Sequence, residues 1–275
     1  MRHVAARFAV LAGVLAVTGG CATASSSVKV RPAAKSVREE GARFFSPPFA
    51  LAVPEDAIVR LVGPQTTCSG TLVAEDLVLT AHHCVAKLGS HGEFTKDTVA
   101  AVDMRVELGG DYLPWGTIAV KDIVAPPCGE QGGAGDVAIL VLSRKLIGIV
   151  PYAVRLEEPP RVGETVDPAG FGRCATSPDA IRRHIREGGA VTGVTPGALW
   201  MSASVCPGDS GGPVFSRGSH EIVGVVSLSA MDGDDRTRSA SVMARVDSFR
   251  PLFAQARLIA DGAAKNELPP LSCEK

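Results

Sequence analysis

Short apolar, β-branched runs recur from residue 58 to residue 246, many of them only a few residues apart. They occupy 58–62, 70–73, 77–80, 137–142, 190–194, 213–215, 222–227 and 242–246. Parallel strands need a crossover of a dozen or more residues, usually a helix, and the gaps at 63–69, 74–76 and 216–221 are too short for one. The 30 glycines and 19 prolines supply turns instead. The pattern therefore predicts an all-β fold, a barrel or a sandwich, and argues against alternating βαβ units. One segment breaks it. Phe249, Leu252, Phe253, Ala256 and Ile259 follow helical spacing, and Asp261-Gly262 ends the run. This C-terminal helix is expected to pack on the sheets and to carry no chemistry.

The N-terminus reads as a targeting segment. Arg2, His3 and Arg7 precede an apolar stretch at 8–17 that is too short to span a bilayer as a mature helix. A signal over residues 1–24 has two exits. Ala22-Thr23-Ala24 has the small-x-small form of a cleavage site. Gly19-Gly20-Cys21 is similar to the end of a lipoprotein signal, in which Cys21 would carry a lipid anchor, although Thr18 stands where Leu is usual. Residues 25–54, rich in Ser, Pro and charge, are expected to be a linker or short pro-segment. Seven cysteines less Cys21 leave six, an even number suited to disulfides in an exported protein: secreted, periplasmic or lipid-anchored at the envelope. No Cys-x-x-Cys pair or His-Glu-x-x-His motif points to a metal. A formal net charge of −1 and 5% aromatic residues give no footprint for nucleic acid.

Three local motifs carry chemistry. In Gly208-Asp209-Ser210-Gly211-Gly212-Pro213, glycines let the backbone turn tightly around a serine, so that amide N–H groups converge in front of its hydroxyl. Taken alone, it reads equally as a Gly-rich turn. In Leu79-Thr80-Ala81-His82-His83-Cys84, a histidine pair closes an apolar strand, and Cys84 can be tied to Cys68, sixteen positions earlier, which would fix the imidazole. In Gly135-Asp136-Val137-Ala138-Ile139-Leu140, a carboxylate stands at the mouth of an apolar run, where burial demands a partner such as an imidazole N–H. Gly208–Gly212 also fits the nucleophile elbow of α/β-hydrolases. That fold needs an acid and then a histidine after the serine, and only His220 follows, ten residues on.

Together the motifs resemble those of the trypsin/chymotrypsin-like serine proteases, in type and in the chain order His, Asp, Ser. The resemblance, of the bacterial exported kind, covers roughly residues 55–260 and includes Cys68-Ser69-Gly70-Thr71-Leu72-Val73. It implies a protease domain over 55–262, followed by a tail at 263–275. The implied fold is two packed six-stranded antiparallel β-barrels with a C-terminal α-helix. The implied activity is endopeptidase cleavage of protein or peptide substrates, by a monomer without cofactor. Ser210 would be the nucleophile, His83 the general base and acid, and Asp136 the group orienting His83; the N–H groups of Gly208 and Ser210 would form the oxyanion hole. The family's catalytic histidine directly precedes the cysteine, so His83 is the match, and His82 stands where a small residue is usual.

The resemblance also implies a pocket built by Ser204, Ser227, Ser229 and Ser241, with no acid at Ser204 to select Lys or Arg. A preference for small or medium uncharged residues follows. The family's activating Ile-Val-Gly-Gly start is missing, so Asp209 requires an internal cation, for which Arg173 is the expected candidate. No cysteine lies where the family's partner for Cys206 would be. Cys206 is therefore assigned to Cys174, and Cys128 to Cys273. The competing expectation is a binding module on the same scaffold that no longer cuts.

Overall fold

The computed structural model describes residues 52–272, apart from 112, 130–131, 175–180 and 232–236. The targeting segment, most of the linker and Cys273 lie outside the described residues. The first half supplies β1 (Ile58–Val62), β2 (Thr67–Ala74), β3 (Leu77–Thr80), β4 (Ala86–Leu88), β5 (Phe94–Thr98), β6 (Arg105–Leu108), β7 (Gly116–Val124) and β8 (Ala138–Leu142). Six of these close an antiparallel barrel in the order β1-β2-β3-β8-β7-β6, with β6 returning to β1, while β4 and β5 form a separate hairpin. Closure removes the exposed edges that an open sheet would present.

The second half supplies β9 (Thr165–Gly170), β10 (His184–Ile185), β11 (Gly189–Val194), β12 (Ala198–Met201), β13 (Pro213–Ser216), β14 (Ile222–Met231) and β15 (Thr237–Arg245). Strands β9-β11-β12-β15-β14-β13 run as a sheet, and the pairing of β13 with β9 closes it as a second six-stranded barrel; β10 adds to β9 from outside. The two-barrel architecture with one C-terminal helix is thus the one expected.

Burial follows the sequence pattern. Every side chain of β3 and β8 is buried, which is why both read as continuous apolar runs, whereas β7 alternates and keeps one face in water. The helix, α1 (Arg250–Ala260), begins one residue later than Phe249 and turns Leu252, Ala256 and Ile259 into the core. Gly262 adopts φ +108°, the left-handed conformation that ends helices. Arg257 of α1 grips Asp76, in the turn between β2 and β3, through two hydrogen bonds of 2.7 and 3.0 Å.

Candidate active site

Each barrel delivers its part of the site at a strand end. His83 follows β3, and Asp136 precedes β8. Because β3 pairs with β8, with Thr80 opposite Ala138, the two residues emerge side by side. Asp136 is fully buried. It accepts the His83 backbone N–H at 2.8 Å, His83 Nδ1–H at 2.7 Å and the Ser227 hydroxyl. Burial alone would push its carboxyl up, but the bonds from His83 and Ser227 outweigh that and hold it below the ordinary carboxylate range. The imidazole is thereby fixed with Nδ1 towards the carboxylate. Its other nitrogen, Nε2, lies 3.7 Å from Cys84 Sγ, within the disulfide Cys68–Cys84.

Ser210 stands on the turn before β13, across the seam between the barrels. This turn is built by close approach. Gly208 has φ +100° and Gly211 φ +80°, and a Cβ on Gly211 would sit 2.2 Å from Thr80 Oγ1 and 2.3 Å from the Ser69 carbonyl oxygen. Ser69, buried in β2, stitches the turn to the first barrel. Its N–H donates to Ser210 O at 2.7 Å, and its hydroxyl donates to Gly208 O at 2.7 Å while accepting from Phe171 N at 2.9 Å. The N–H groups of Gly208 and Ser210 meet no protein acceptor among the described residues. Ser210 and His83 border one cavity of about 310 Å³. The imidazole's own bonds go to Asp136 and Cys84, and none joins it to the Ser210 hydroxyl in this structure.

The remaining walls of the cavity are Phe94, Val205, Cys206, Pro207 and the run Val226-Ser227-Leu228-Ser229; among the described residues no carboxylate, lysine or arginine lines it. Of the four serines assigned to a pocket, Ser227 and Ser229 border it. Ser227 spends its hydroxyl on Asp136. Ser241 is buried behind, opposite Ser229, and donates to Ala203 O at 2.9 Å. Ser204 is half-buried and gives way on the wall to its neighbour Val205.

Asp209 corrects one expectation. It is 1% exposed and accepts from Gly172 N at 2.7 Å, Cys206 N at 2.8 Å and Arg186 Nε at 2.8 Å. Its cation is Arg186, not Arg173. The reason lies in the pairing of β10 with β9: the Arg186 N–H donates to Pro168 O at 2.8 Å, and from that anchor the long side chain reaches Asp209 and also donates to the Gly172 carbonyl at 2.9 Å. Arg173 is exposed, and among the described residues it engages Pro207 through its backbone N–H alone. A signal existed in the sequence, the basic run Arg182-Arg183-His184-Ile185-Arg186, but nothing in it distinguishes the three arginines. Cys174 and Cys206 are bonded to each other. Cys128 is in a disulfide, and its assigned partner Cys273 lies outside the described residues.

Comparison with known proteins agrees with this geometry. The family model named Trypsin matches residues 52–253. Chymotrypsin-like elastase family member 3B of Homo sapiens is 25% identical over 265 residues, spanning 86% of this chain and 92% of the relative. Proproteinase E of Bos taurus is 26% identical over 212 residues, spanning 66% of this chain and 80% of that protein. Among solved structures, neuropsin, a serine protease of mouse brain, matches with TM-score 0.57 at 18% identity, over 76% of this chain and 98% of its own. A Glu endopeptidase matches with TM-score 0.61 at 17% identity, over 76% and 94%. At such identities these two likenesses speak for the fold alone.

Proposed function

The chain belongs to the trypsin family and is a serine endopeptidase, and from that premise we propose that Ser210 is its nucleophile, His83 its general base and acid, and Asp136 the residue that orients His83. The observation that carries this reading is the hydrogen-bonded line from Ser227 through Asp136 to His83, which ends at the cavity Ser210 borders. A rotation about the Ser210 Cα–Cβ bond brings its hydroxyl towards Nε2. Catalytic hydrogen bonds are commonly long without substrate and tighten when it binds.

Ser210 Oγ attacks the scissile carbonyl carbon as its proton passes to His83 Nε2. The carbonyl oxygen gains negative charge and is received by the free N–H groups of Gly208 and Ser210. The C–N bond breaks, His83 returns the proton to the leaving amine, and an ester of Ser210 remains. Water, deprotonated by His83, hydrolyses that ester and restores the hydroxyl. The buried Asp136 carboxylate stabilises the imidazolium formed in each half.

The described lining of the cavity is uncharged and partly apolar and supports a preference for small or medium uncharged side chains, since a buried cationic side chain would meet no carboxylate among the described residues there. We further propose an exported protease of the bacterial type, held in its working form by an internal arginine. Arg186 supplies the positive charge that the buried Asp209 requires, so no newly cut N-terminus is needed to shape the turn at 208–210. The disulfides Cys68–Cys84 and Cys174–Cys206 fit an oxidising compartment, and among the described residues no helix is long and apolar enough to cross a membrane. Peptide-library profiling of the purified chain tests the reading. Cleavage after Ala, Ser, Thr or Val, abolished in Ser210→Ala, is expected. Cleavage confined to Arg or Lys sites overturns the pocket assignment, and hydrolysis surviving in Ser210→Ala overturns the nucleophile.

A further inference from the structure

Large apolar side chains stand open to water on two loops of the first barrel. Leu113 and Trp115, between β6 and β7, and Ile147 and Val150, after β8, are each between 62% and 77% exposed. Trp115 and Ile147 border one groove of about 450 Å³, whose floor is the buried Leu108, Ile118, Leu146 and Ile149. Both loops are held in shape. Trp115 N donates to Leu108 O at 2.9 Å, and Leu113 N donates to the Asp111 carboxylate at 2.8 Å. Gly148, with φ +95°, turns the second loop, and a Cβ there would meet nothing within 4 Å, so this tip stands clear of the barrel. Exposed apolar surface shared between two loops marks a site of interaction.

Strand register places this face at the end of the first barrel opposite His83 and Asp136. Asp136 stands just before β8, and the second loop follows β8. β7 runs antiparallel to β8, with Val124 opposite Ile139 and Val120 opposite Leu142, so Gly116 and Trp115 lie beyond the far end of β8. The chain enters the barrel at that same end. β1 pairs with β6 through Arg60 opposite Glu107 and Val62 opposite Arg105, which sets Ile58 alongside the start of the β6–β7 loop. Arg183 ties the two together: its Nη1 donates to Asp56 Oδ1 at 3.1 Å and to Gly109 O at 3.4 Å. A tether on the chain ahead of residue 52 therefore draws this end of the barrel, and not the cleft, towards whatever it is fixed to.

The chemistry of the face points to lipid. Two cations, Arg144 and Lys145, line the groove, and among the described residues no carboxylate does. Arg144 has no ion pair among the described residues. Lys145 lies 3.6 Å from Glu75, but both side chains are largely exposed, and such a pair contributes little. Tryptophan and aliphatic tips beside Lys and Arg are the combination that settles at the headgroup level of a bilayer containing anionic lipid. The N-terminal sequence supplies a second attachment. Gly19-Gly20-Cys21, similar to a lipoprotein signal end, would put a lipid on Cys21, and the chain that carries it enters the barrel at the end that bears Trp115. An acyl anchor and a basic, apolar patch reinforce each other where either alone binds weakly.

We propose that this end of the first barrel is a membrane-docking surface. Leu113, Trp115, Ile147 and Val150 enter the headgroup region of a bilayer containing anionic lipid, Arg144 and Lys145 sit against its phosphates, and the cleft that holds His83 and Ser210 stays open to water at the opposite end. The face contains none of the residues assigned to catalysis, so docking and peptide cleavage are tested independently.

The chain has two tryptophans, Trp115 and Trp200, so Trp200→Phe leaves Trp115 as the sole indole. The full chain carrying that substitution is mixed with vesicles of phosphatidylglycerol and phosphatidylcholine in equal parts, or of phosphatidylcholine alone. On the anionic vesicles Trp115 emission should shift to the blue, and lipids brominated on the acyl chain should quench it. The converse variant, Trp115→Phe, which keeps Trp200, should show neither effect. Arg144→Glu together with Lys145→Glu should lower partitioning of the sole-Trp115 chain by roughly tenfold or more, with peptide hydrolysis in solution unchanged. Thermal melting verifies folding; if Trp200→Phe melts early, quenching of the wild type is compared with that of Trp115→Phe instead. Trp115 unquenched by brominated lipid overturns the proposal, even where the chain sediments with the vesicles through its N-terminal segment. So does partitioning indifferent to the two charge reversals, or a blue shift that grows with protein concentration in the absence of vesicles, which marks a second copy of the chain as the occupant.

Discussion

At the scale of single residues, the site depends on buried charges that are fully answered. Asp136 has three donors, and one of them, the Ser227 hydroxyl, lies 91 positions away in sequence. A hydrogen bond to a charged group contributes about 1.5–3 kcal/mol. Ser227→Ala is therefore expected to lower kcat by roughly tenfold or more, with a smaller change in KM, measured on a peptide substrate. Full kcat in that variant contradicts the orienting role given to Asp136. Asp209 makes the sharper case. Removing one partner of a buried ion pair costs about 3–5 kcal/mol, and the partly exposed Arg186 belongs at the lower end. Arg186→Ala should deform the turn at 208–210 and reduce kcat by about 10²–10³, the usual cost of a lost oxyanion donor. Arg186→Lys should recover part of it, and Arg173→Ala should stay close to wild type. Parity between the Arg186 and Arg173 variants removes the internal-arginine idea.

At the scale of elements, strands carrying several apolar residues in a row were readable in sequence, whereas the largely exposed β5 was not. β1 and β3 have the predicted bounds, and β8 begins one residue late, because apolar, β-branched or leucine side chains dominate each of them. β5, with the sequence Phe-Thr-Lys-Asp-Thr, is nearly all exposed and carries no apolar periodicity; its existence depends on the anchoring of the hairpin to His82 and Val85. That is why Phe94 escaped the sequence reading. The helix was legible from its spacing, and its docking makes a prediction. Leu252 is 1% exposed, so Leu252→Ala should lower unfolding stability by about 2–5 kcal/mol, read from urea denaturation, with turnover per folded molecule preserved. Stability within about 0.5 kcal/mol of wild type, the range of ordinary surface substitutions, contradicts the docking.

At the scale of the whole molecule, the residues proposed for catalysis were legible as candidates because each lies in a local motif, while the contacts between motifs were not. Nothing near Ser69 in sequence announces that its hydroxyl joins β2 to Gly208 and Phe171 of the other barrel. Nor does the order of cysteines alone fix Cys174–Cys206. Stability should share this distribution of charge. Asp76 is held below the usual carboxylate range by Arg257, and Asp167 by Arg217. For Asp136 and Glu164, burial raises the pKa, but hydrogen bonds from His83 and from Arg155 respectively prevail and lower it. Such groups stabilise the fold fully above their unfolded pKa of about 4, and that contribution is lost as pH falls through the lower folded values. The melting temperature should thus be level from neutrality down to about pH 5 and drop steeply below about pH 4; a melting temperature that rises on acidification contradicts the assignment. The central claim is that residues 83 and 210, brought together from different barrels, act as one unit. Reaction with a fluorophosphonate probe followed by peptide mapping tests it most directly. The account predicts a single adduct on Ser210, with labelling slowed by orders of magnitude in His83→Ala; an adduct on another residue, or undiminished labelling in that variant, contradicts it.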